Sequence, residues 1–201
     1  MGHSGSTLLD LSLGTMDHTL SLGEVQFLSW QFYQGEIKED PQTYCSCGKS
    51  FESCEFWAPI FNEISEKNGV NLFKAPHLYD FSINRHIHRK KTHPVRWFFN
   101  QLITISFQRK WLRFLFYPAY AYFQASVGRN WDLFDRASKN SGNEFVIDSS
   151  KNLNRFLLLR NKRPKDTKLV LLVRDIRGVC SSSHHGLNDQ IVKDRAKKWL
   201  R

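Results

Sequence analysis

A turn of small residues near the amino terminus could bind a phosphate group. It reads Gly2-His3-Ser4-Gly5-Ser6-Thr7, and a leucine-rich stretch over residues 8–13 follows it and ends at Gly14. The pattern predicts a short helix that begins at this turn and stops at the glycine. Backbone N–H groups and the positive end of the helix dipole would then face one anion. The hydroxyls of Ser6 and Thr7 could donate further hydrogen bonds.

Two other interpretations of this turn are weaker. The hydrolase motif G-x-S-x-G would make Ser4 a nucleophile, but its fifth position is Ser6 rather than glycine and no strand precedes the turn. A Walker A motif requires Lys-Ser/Thr after its second glycine, and that pair is missing. The turn alone therefore indicates anion binding without naming the reaction.

A second candidate segment, Asp148-Ser149-Ser150-Lys151, overlaps the end of a short strand predicted over residues 144–148. Ligands bind at the carboxyl edge of parallel sheets, so the ammonium group of Lys151 is expected there. The alternative is a helix cap made by Ser149 or Ser150, followed by a solvated lysine.

A third segment places a guanidinium at the same edge. The continuous apolar run over residues 168–173 predicts a parallel strand buried on both faces, and Arg174 follows it directly. Arginine suits bidentate phosphate binding. Ser182 comes eight residues later, about two helical turns along a predicted helix, and could reach the same phosphate. An ion pair between Arg174 and Asp175 is the alternative.

Together these motifs resemble the sulfotransferases that use 3′-phosphoadenosine-5′-phosphosulfate (PAPS). The resemblance rests on S-G-S-T-L-L at residues 4–9, D-S-S-K at 148–151, and L-V-R-D-x-R-G-V at 172–179 with Ser182 beyond it. It implies a P-loop-like α/β fold and transfer of a sulfuryl group from PAPS to a hydroxyl or amine, with no metal required. A cysteine segment over residues 45–57 resembles a feature of microbial members.

The resemblance also implies roles for individual residues. Arg174 and Ser182 would bind the 3′-phosphate. Glu24 matches the general base of the heparan-type enzymes, and Lys151 would stabilise charge on the sulfuryl or leaving group. The 5′-phosphosulfate would be bound by the loop residues Ser4, Gly5, Ser6 and Thr7.

This sequence departs from the family at two points. His3 stands where a lysine or arginine usually precedes Ser-Gly, and a protonated imidazole beside two phosphates could take over that catalytic role. Family members also begin with a strand before the loop and continue beyond Trp199. We therefore expect a single sulfotransferase domain over residues 1–201 that is incomplete at both ends.

The cysteines leave several states open. Cys45, Cys47 and Cys54 cluster in the sequence, while Cys180 stands apart. The spacing lacks the paired C-x-x-C of common zinc sites. A turn with reduced thiols is the favoured interpretation, with a metal site or a disulfide as alternatives.

The elements expected to position these residues form a three-layer α/β fold with a parallel sheet flanked by helices, because the last third of the chain reads as strand–helix–strand–helix. A helix is predicted over residues 56–67 and a loop over 40–55. Residues 84–137, which are aromatic and basic, predict two or three helices on the substrate side, punctuated by Pro94 and Pro118.

The composition and charge of the chain limit the kinds of partner that it is expected to bind. The chain has 201 residues, 41% of them hydrophobic, and a net charge of +10, which favours anionic ligands. Residues 85–113 carry eight Lys/Arg and no acid; they form either a solvated face or a rim for acidic substrates or membrane. No signal peptide or spanning segment is visible, so a cytoplasmic location is expected.

The expected acceptor is a small molecule, carbohydrate or lipid rather than nucleic acid. Two alternatives remain. One is a P-loop-like nucleotide-binding protein or kinase. The other is a non-enzymatic basic module that binds nucleic acid or anionic membrane through residues 85–113.

Overall fold

The fold is known from a computed structural model that describes residues 5–33, 44–75, 79, 81–83 and 117–173. The predictions for His3, Ser4, Arg174 and Ser182, and for residues 84–116, lie outside these ranges. The elements in chain order are α1 (Ser6–Gly14), β1 (Thr19–Ser21), a 3-10 turn (Val25–Phe27), α2 (Leu28–Phe32), α3 (Trp57–Asn68), α4 (Tyr117–Ser141), β2 (Phe145–Ile147) and α5 (Leu153–Lys162).

Helix α1 begins at the small-residue turn, as predicted. Gly5 is its N-cap and has a φ of 84°, a left-handed conformation that glycine adopts without the steric penalty of a Cβ atom. The helix ends at Gly14, whose Cα faces Ser21 of β1 so closely that a Cβ there would lie 3.0 Å from the Ser21 Cβ. Glycine at this end therefore lets β1 pack directly on α1.

Strand β1 runs back along α1 toward the start of the helix. The Thr19 hydroxyl donates to the Leu13 carbonyl at 2.6 Å, and two residues later the Ser21 hydroxyl donates to Asp10 at 2.7 Å. The contacts thus move from the last turn of α1 toward its first turn. The carboxyl end of β1 and the amino end of α1 consequently point in the same direction.

The two strands pair in parallel, with Thr19 opposite Phe145 and Ser21 opposite Ile147. The Leu22 N–H extends the ladder to the Ile147 carbonyl at 3.0 Å. The strand predicted over residues 144–148 is confirmed, and so is the broad α/β class, since helices pack beside a small parallel sheet.

The prediction of a buried strand over residues 168–173 is wrong within the part of the chain that the structure describes. These residues have no strand conformation, and Val170, Leu171 and Val173 are 66%, 78% and 71% exposed. Apolar continuity indicates that a strand could form, but a strand also requires a neighbour whose N–H and C=O groups are unpaired. The described sheet contains only β1 and β2, and this segment does not pair with either of them.

An aromatic core holds α2, α3 and α4 together. Trp57 stacks on Phe61 with ring centroids 5.3 Å apart, and Phe32 meets Phe61 edge to face at 4.9 Å. Helix α3 confirms the prediction over 56–67, because its buried residues recur at helical spacing. These residues are Trp57, Ile60, Phe61 and Ile64.

The capping of α5 differs from expectation. The N-cap of α5 is Asn152, whose side chain accepts from the Arg155 N–H at 3.1 Å, so the prediction of Ser149 or Ser150 as cap is wrong. Asn152 satisfies the third amide of the helix, the geometry that a cap requires. Pro118 lies in the first turn of α4, a position that proline tolerates.

No helix in the described ranges is both long and apolar enough to cross a membrane.

Candidate functional site

Glu24 and Lys151 form an ion pair at the carboxyl edge of the two strands. The Lys151 Nζ lies 2.8 Å from the Glu24 Oε1, and the side chains are 42% and 32% exposed. Glu24 comes three residues after β1 and Lys151 four residues after β2. Because the strands are parallel, their carboxyl ends lie side by side. The structure therefore brings together the two residues that the sequence indicated as base and charge stabiliser.

Backbone hydrogen bonds fix the two segments that carry this pair. The Ser149 N–H donates to the Gly23 carbonyl at 2.9 Å, and the Gln26 N–H donates to the Ser150 hydroxyl at 3.0 Å. Gly23 has a φ of 66°, so the chain turns sharply just before Glu24. The serines of the D-S-S-K segment thus dock it onto the segment after β1.

A buried network of charged and polar groups holds the first residue of the D-S-S-K segment in place. Arg155 is 2% exposed, and its Nε donates to the Asp148 carboxylate at 2.8 Å. Its two terminal nitrogens donate to the Phe81 carbonyl at 2.9 Å and to the Asn130 side chain at 2.5 Å. Asn130 in turn donates to the Phe81 carbonyl. Each of the three guanidinium nitrogens therefore donates a hydrogen bond to an acceptor.

None of the sequence motifs predicted this network. The signal was present in α5, because Arg155 lies three and four residues before the buried Leu158 and Leu159 and so shares their apolar face. An arginine on such a face must be paired inside the protein. Asp148 was recognised in the sequence only as part of the D-S-S-K motif. Its pairing with Arg155 is an additional role that the motif does not predict.

The start of α1 lies near the end of the 168–173 run. A Cβ placed on Gly5 would lie 3.9 Å from the Leu172 Cδ2, and Leu172 is two residues before Arg174. Ser6 and Thr7 occupy the first two positions of the helix. The amide groups of a first helical turn have no acceptor inside the helix itself, so this end of α1 suits an anion.

A second polar cluster lies apart in sequence, in the loop predicted over residues 40–55. The Sγ atoms of Cys45, Cys47 and Cys54 all lie within 4.8 Å of one another. Burial raises the pKa of the Cys45 thiol to about 11. The backbone N–H of Lys49 lowers the pKa of the exposed Cys47 thiol.

Comparison with known proteins adds no assignment. No protein-family model, curated protein or solved structure matches this chain. The site itself is therefore the basis for a functional proposal. Its features are an exposed carboxylate–ammonium pair at the carboxyl edge of a parallel strand pair, and a glycine-initiated helix whose amino end points the same way.

Proposed function

We propose that this protein is a sulfotransferase that moves a sulfuryl group from PAPS to a hydroxyl or amine of an acceptor. The observation that carries the proposal is the Glu24–Lys151 pair at 2.8 Å. The resemblance in sequence assigns a proton acceptor and a cationic stabiliser to these two positions, and they meet across 127 residues of chain. A chance pair of solvated charges would have no reason to involve these two residues.

The pair is poorly explained as a stabilising contact. Both partners are about a third exposed or more, and exposed ion pairs contribute about 0–1 kcal/mol to stability. Side chains that contribute so little to the fold, yet are aimed at one point by two fixed backbone segments, favour a chemical role. The edge at which they lie is also the edge where α/β proteins bind their ligands.

The reaction can be written with these groups. The acceptor oxygen attacks sulfur in line as the bond between sulfur and the donor's bridging phosphate oxygen breaks. The acceptor proton passes to the Glu24 carboxylate. Lys151, which now binds Glu24, would move to the anionic sulfuryl oxygens or to the leaving phosphate, where charge develops. The products are a sulfated acceptor and adenosine 3′,5′-bisphosphate.

The donor would lie between α1 and the segment that leads to Arg174. The 5′-phosphosulfate would bind at Gly5, Ser6 and Thr7, and with them Ser4 and His3, while Arg174 and Ser182 would bind the 3′-phosphate. The proximity of Gly5 to Leu172 supports this arrangement. We extend the proposal to the fold: β1 and β2 would belong to a larger three-layer, P-loop-like sheet.

A thermal-shift comparison of three ligands tests the proposal against its alternatives. Adenosine 3′,5′-bisphosphate at about 100 times its Kd adds about 2.7 kcal/mol of stability, which corresponds to a rise in Tm of roughly 5–10 °C for a chain of this size. ATP as the better ligand would favour a nucleotide kinase. Stabilisation by heparin alone, lost as salt is added, would favour the basic module.

A further inference from the structure

Three thiols converge where a tight turn meets the start of a helix. The turn is closed by the Cys45 N–H on the Lys49 carbonyl at 3.0 Å and by the Gly48 N–H on the Cys45 carbonyl at 2.8 Å. Gly48 has a φ of 80°, so the turn depends on glycine. Cys54 lies three residues before α3. Each thiol is therefore carried by backbone that is already fixed.

The separations between the sulfurs fit one metal ion. Cys54 Sγ lies 3.5 Å from that of Cys45 and 3.7 Å from that of Cys47. Two thiolates bound to one tetrahedral zinc ion at about 2.3 Å must be about 3.8 Å apart. Shifts of a few tenths of an ångström would give these two pairs the required distance, and the Sγ atoms of the third pair, Cys45 and Cys47, lie within 4.8 Å of each other.

We propose that Cys45, Cys47 and Cys54 form a three-thiolate Zn²⁺ site. Within the described ranges these three cysteines are the only group of Cys, His, Asp or Glu side chains close enough together to bind one ion. The site is separate from the Glu24–Lys151 pair and does not depend on the proposed sulfotransferase activity. Each thiol that binds the ion releases its proton to solvent.

The three thiols differ in exposure. Cys54 is buried and Cys47 is exposed, so the ion would be covered on one side and accessible on the other.

The site would fasten the cysteine turn to α3. Cys54 belongs to the aromatic core that contains Phe51 and Trp57. A metal that joins Cys45 and Cys47 to Cys54 would therefore hold the turn against this core.

Cobalt substitution tests the proposal on the full chain, reduced and freed of metal by a chelator. One Co²⁺ per chain is expected to bind with thiolate-to-metal charge-transfer absorption and intense visible bands of tetrahedral cobalt, and Zn²⁺ is expected to displace it. Cys45→Ser, Cys47→Ser and Cys54→Ser should each remove part of the charge-transfer intensity and weaken metal binding by more than about 100-fold, since losing even an outer-shell partner costs 10–100-fold. The matched control Cys180→Ser should bind cobalt as the wild type does.

Two results would overturn the proposal. One is a reduced chain, with its thiols counted as free, that binds neither cobalt nor zinc. The other is charge-transfer absorption that survives unchanged in Cys47→Ser and Cys54→Ser. Circular dichroism of each variant identifies any that fails to fold. In that event metal analysis of the wild type, purified with and without zinc in the medium, decides the question: zinc bound at one per chain supports the site, and metal-free protein with a Cys45–Cys54 disulfide refutes it.

Discussion

The Lys151 Nζ and the Glu24 Oε1 lie 2.8 Å apart although 127 residues separate them in the chain. The contact exists because β1 and β2 are parallel neighbours and because Gly23, Ser149 and Ser150 turn both segments toward each other. Two exposed charges held in this way add little to stability. The proposed sulfuryl transfer would use this arrangement, in which a proton acceptor lies beside a cation.

Replacing Lys151 should separate catalysis from folding. Lys151→Met is expected to lower the rate of sulfuryl transfer by about 100-fold or more, as removal of one donor to a developing charge does. Stability should change by no more than about 1 kcal/mol because the pair is exposed. Steady-state kinetics and urea unfolding measure the two effects. Lys139→Met, at an exposed position in the last turn of α4, should change neither, and equal losses in both variants would contradict the assigned role.

The conformation of Gly5 should matter for nucleotide binding. Gly5→Ala forces an L-residue to a φ of 84°, which costs about 1–2 kcal/mol and would displace the amides proposed to bind the phosphosulfate. Gly142→Ala is the matched control, since that glycine has a φ of 69° at the end of α4. Both variants should lose similar stability. Only Gly5→Ala should bind adenosine 3′,5′-bisphosphate more weakly by calorimetry; equal affinities would place the nucleotide elsewhere.

The buried network around Arg155 should dominate stability. Arg155→Met leaves the Asp148 carboxylate and the Asn130 side chain without their partner, and breaking a buried pair in this way costs about 3–5 kcal/mol. The comparison is Lys67→Met, which breaks an exposed pair with Asp132 worth about 0–1 kcal/mol. Denaturant unfolding measures both free energies. A loss below about 1 kcal/mol for Arg155→Met would mean that Asp148 is held by other contacts.

Tyr79 should make stability depend on alkaline pH. Burial, together with the negative charge of Asp132, raises the pKa of the phenol from 10 to about 12 in the folded protein. Below pH 10 the phenol is neutral in both states and contributes no pH dependence. Between pH 10 and about 12 the unfolded chain loses the proton and the folded protein keeps it, so the free energy of unfolding falls as pH rises.

The measurement is the unfolding free energy of wild type and Tyr79→Phe across that range. The variant lacks the titrating group, so its stability should fall less steeply than that of the wild type. Parallel curves would show that the Tyr79 phenol ionises at the same pH in both states.

Helices α1 and α3 could be predicted from the sequence because the residues that define their ends and buried faces lie within the helices or next to them. The glycines that bound α1 and the apolar spacing of α3 located both helices to within a residue or two. The strand at Phe145–Ile147 was expected, but its partner at Thr19–Ser21 was not, since nothing in either segment encodes which strand it pairs with. Because the sequence does not say which strands pair, it also led to the wrong prediction of a strand over residues 168–173.

The residues of the candidate site were also predicted only in part. Glu24 and Lys151 were predicted by resemblance to a family, and only the fold could bring them into contact. Arg155 was missed because a charged residue on an apolar helix face looks solvated until its buried partners are known. The three cysteines were noticed, but the distances that match a metal ion depend on the turn at Gly48.

The most direct test of the central claim is the release of adenosine 3′,5′-bisphosphate from PAPS in the presence of a panel of hydroxyl and amine acceptors. The wild type and Glu144→Gln, an exposed acid at the opposite end of β2, should both form product with at least one acceptor. Glu24→Gln should be slower by about 10²–10⁴-fold, the usual contribution of a general base. A Glu24→Gln variant as fast as the wild type, or a wild type that consumes no PAPS with any acceptor, would contradict the account.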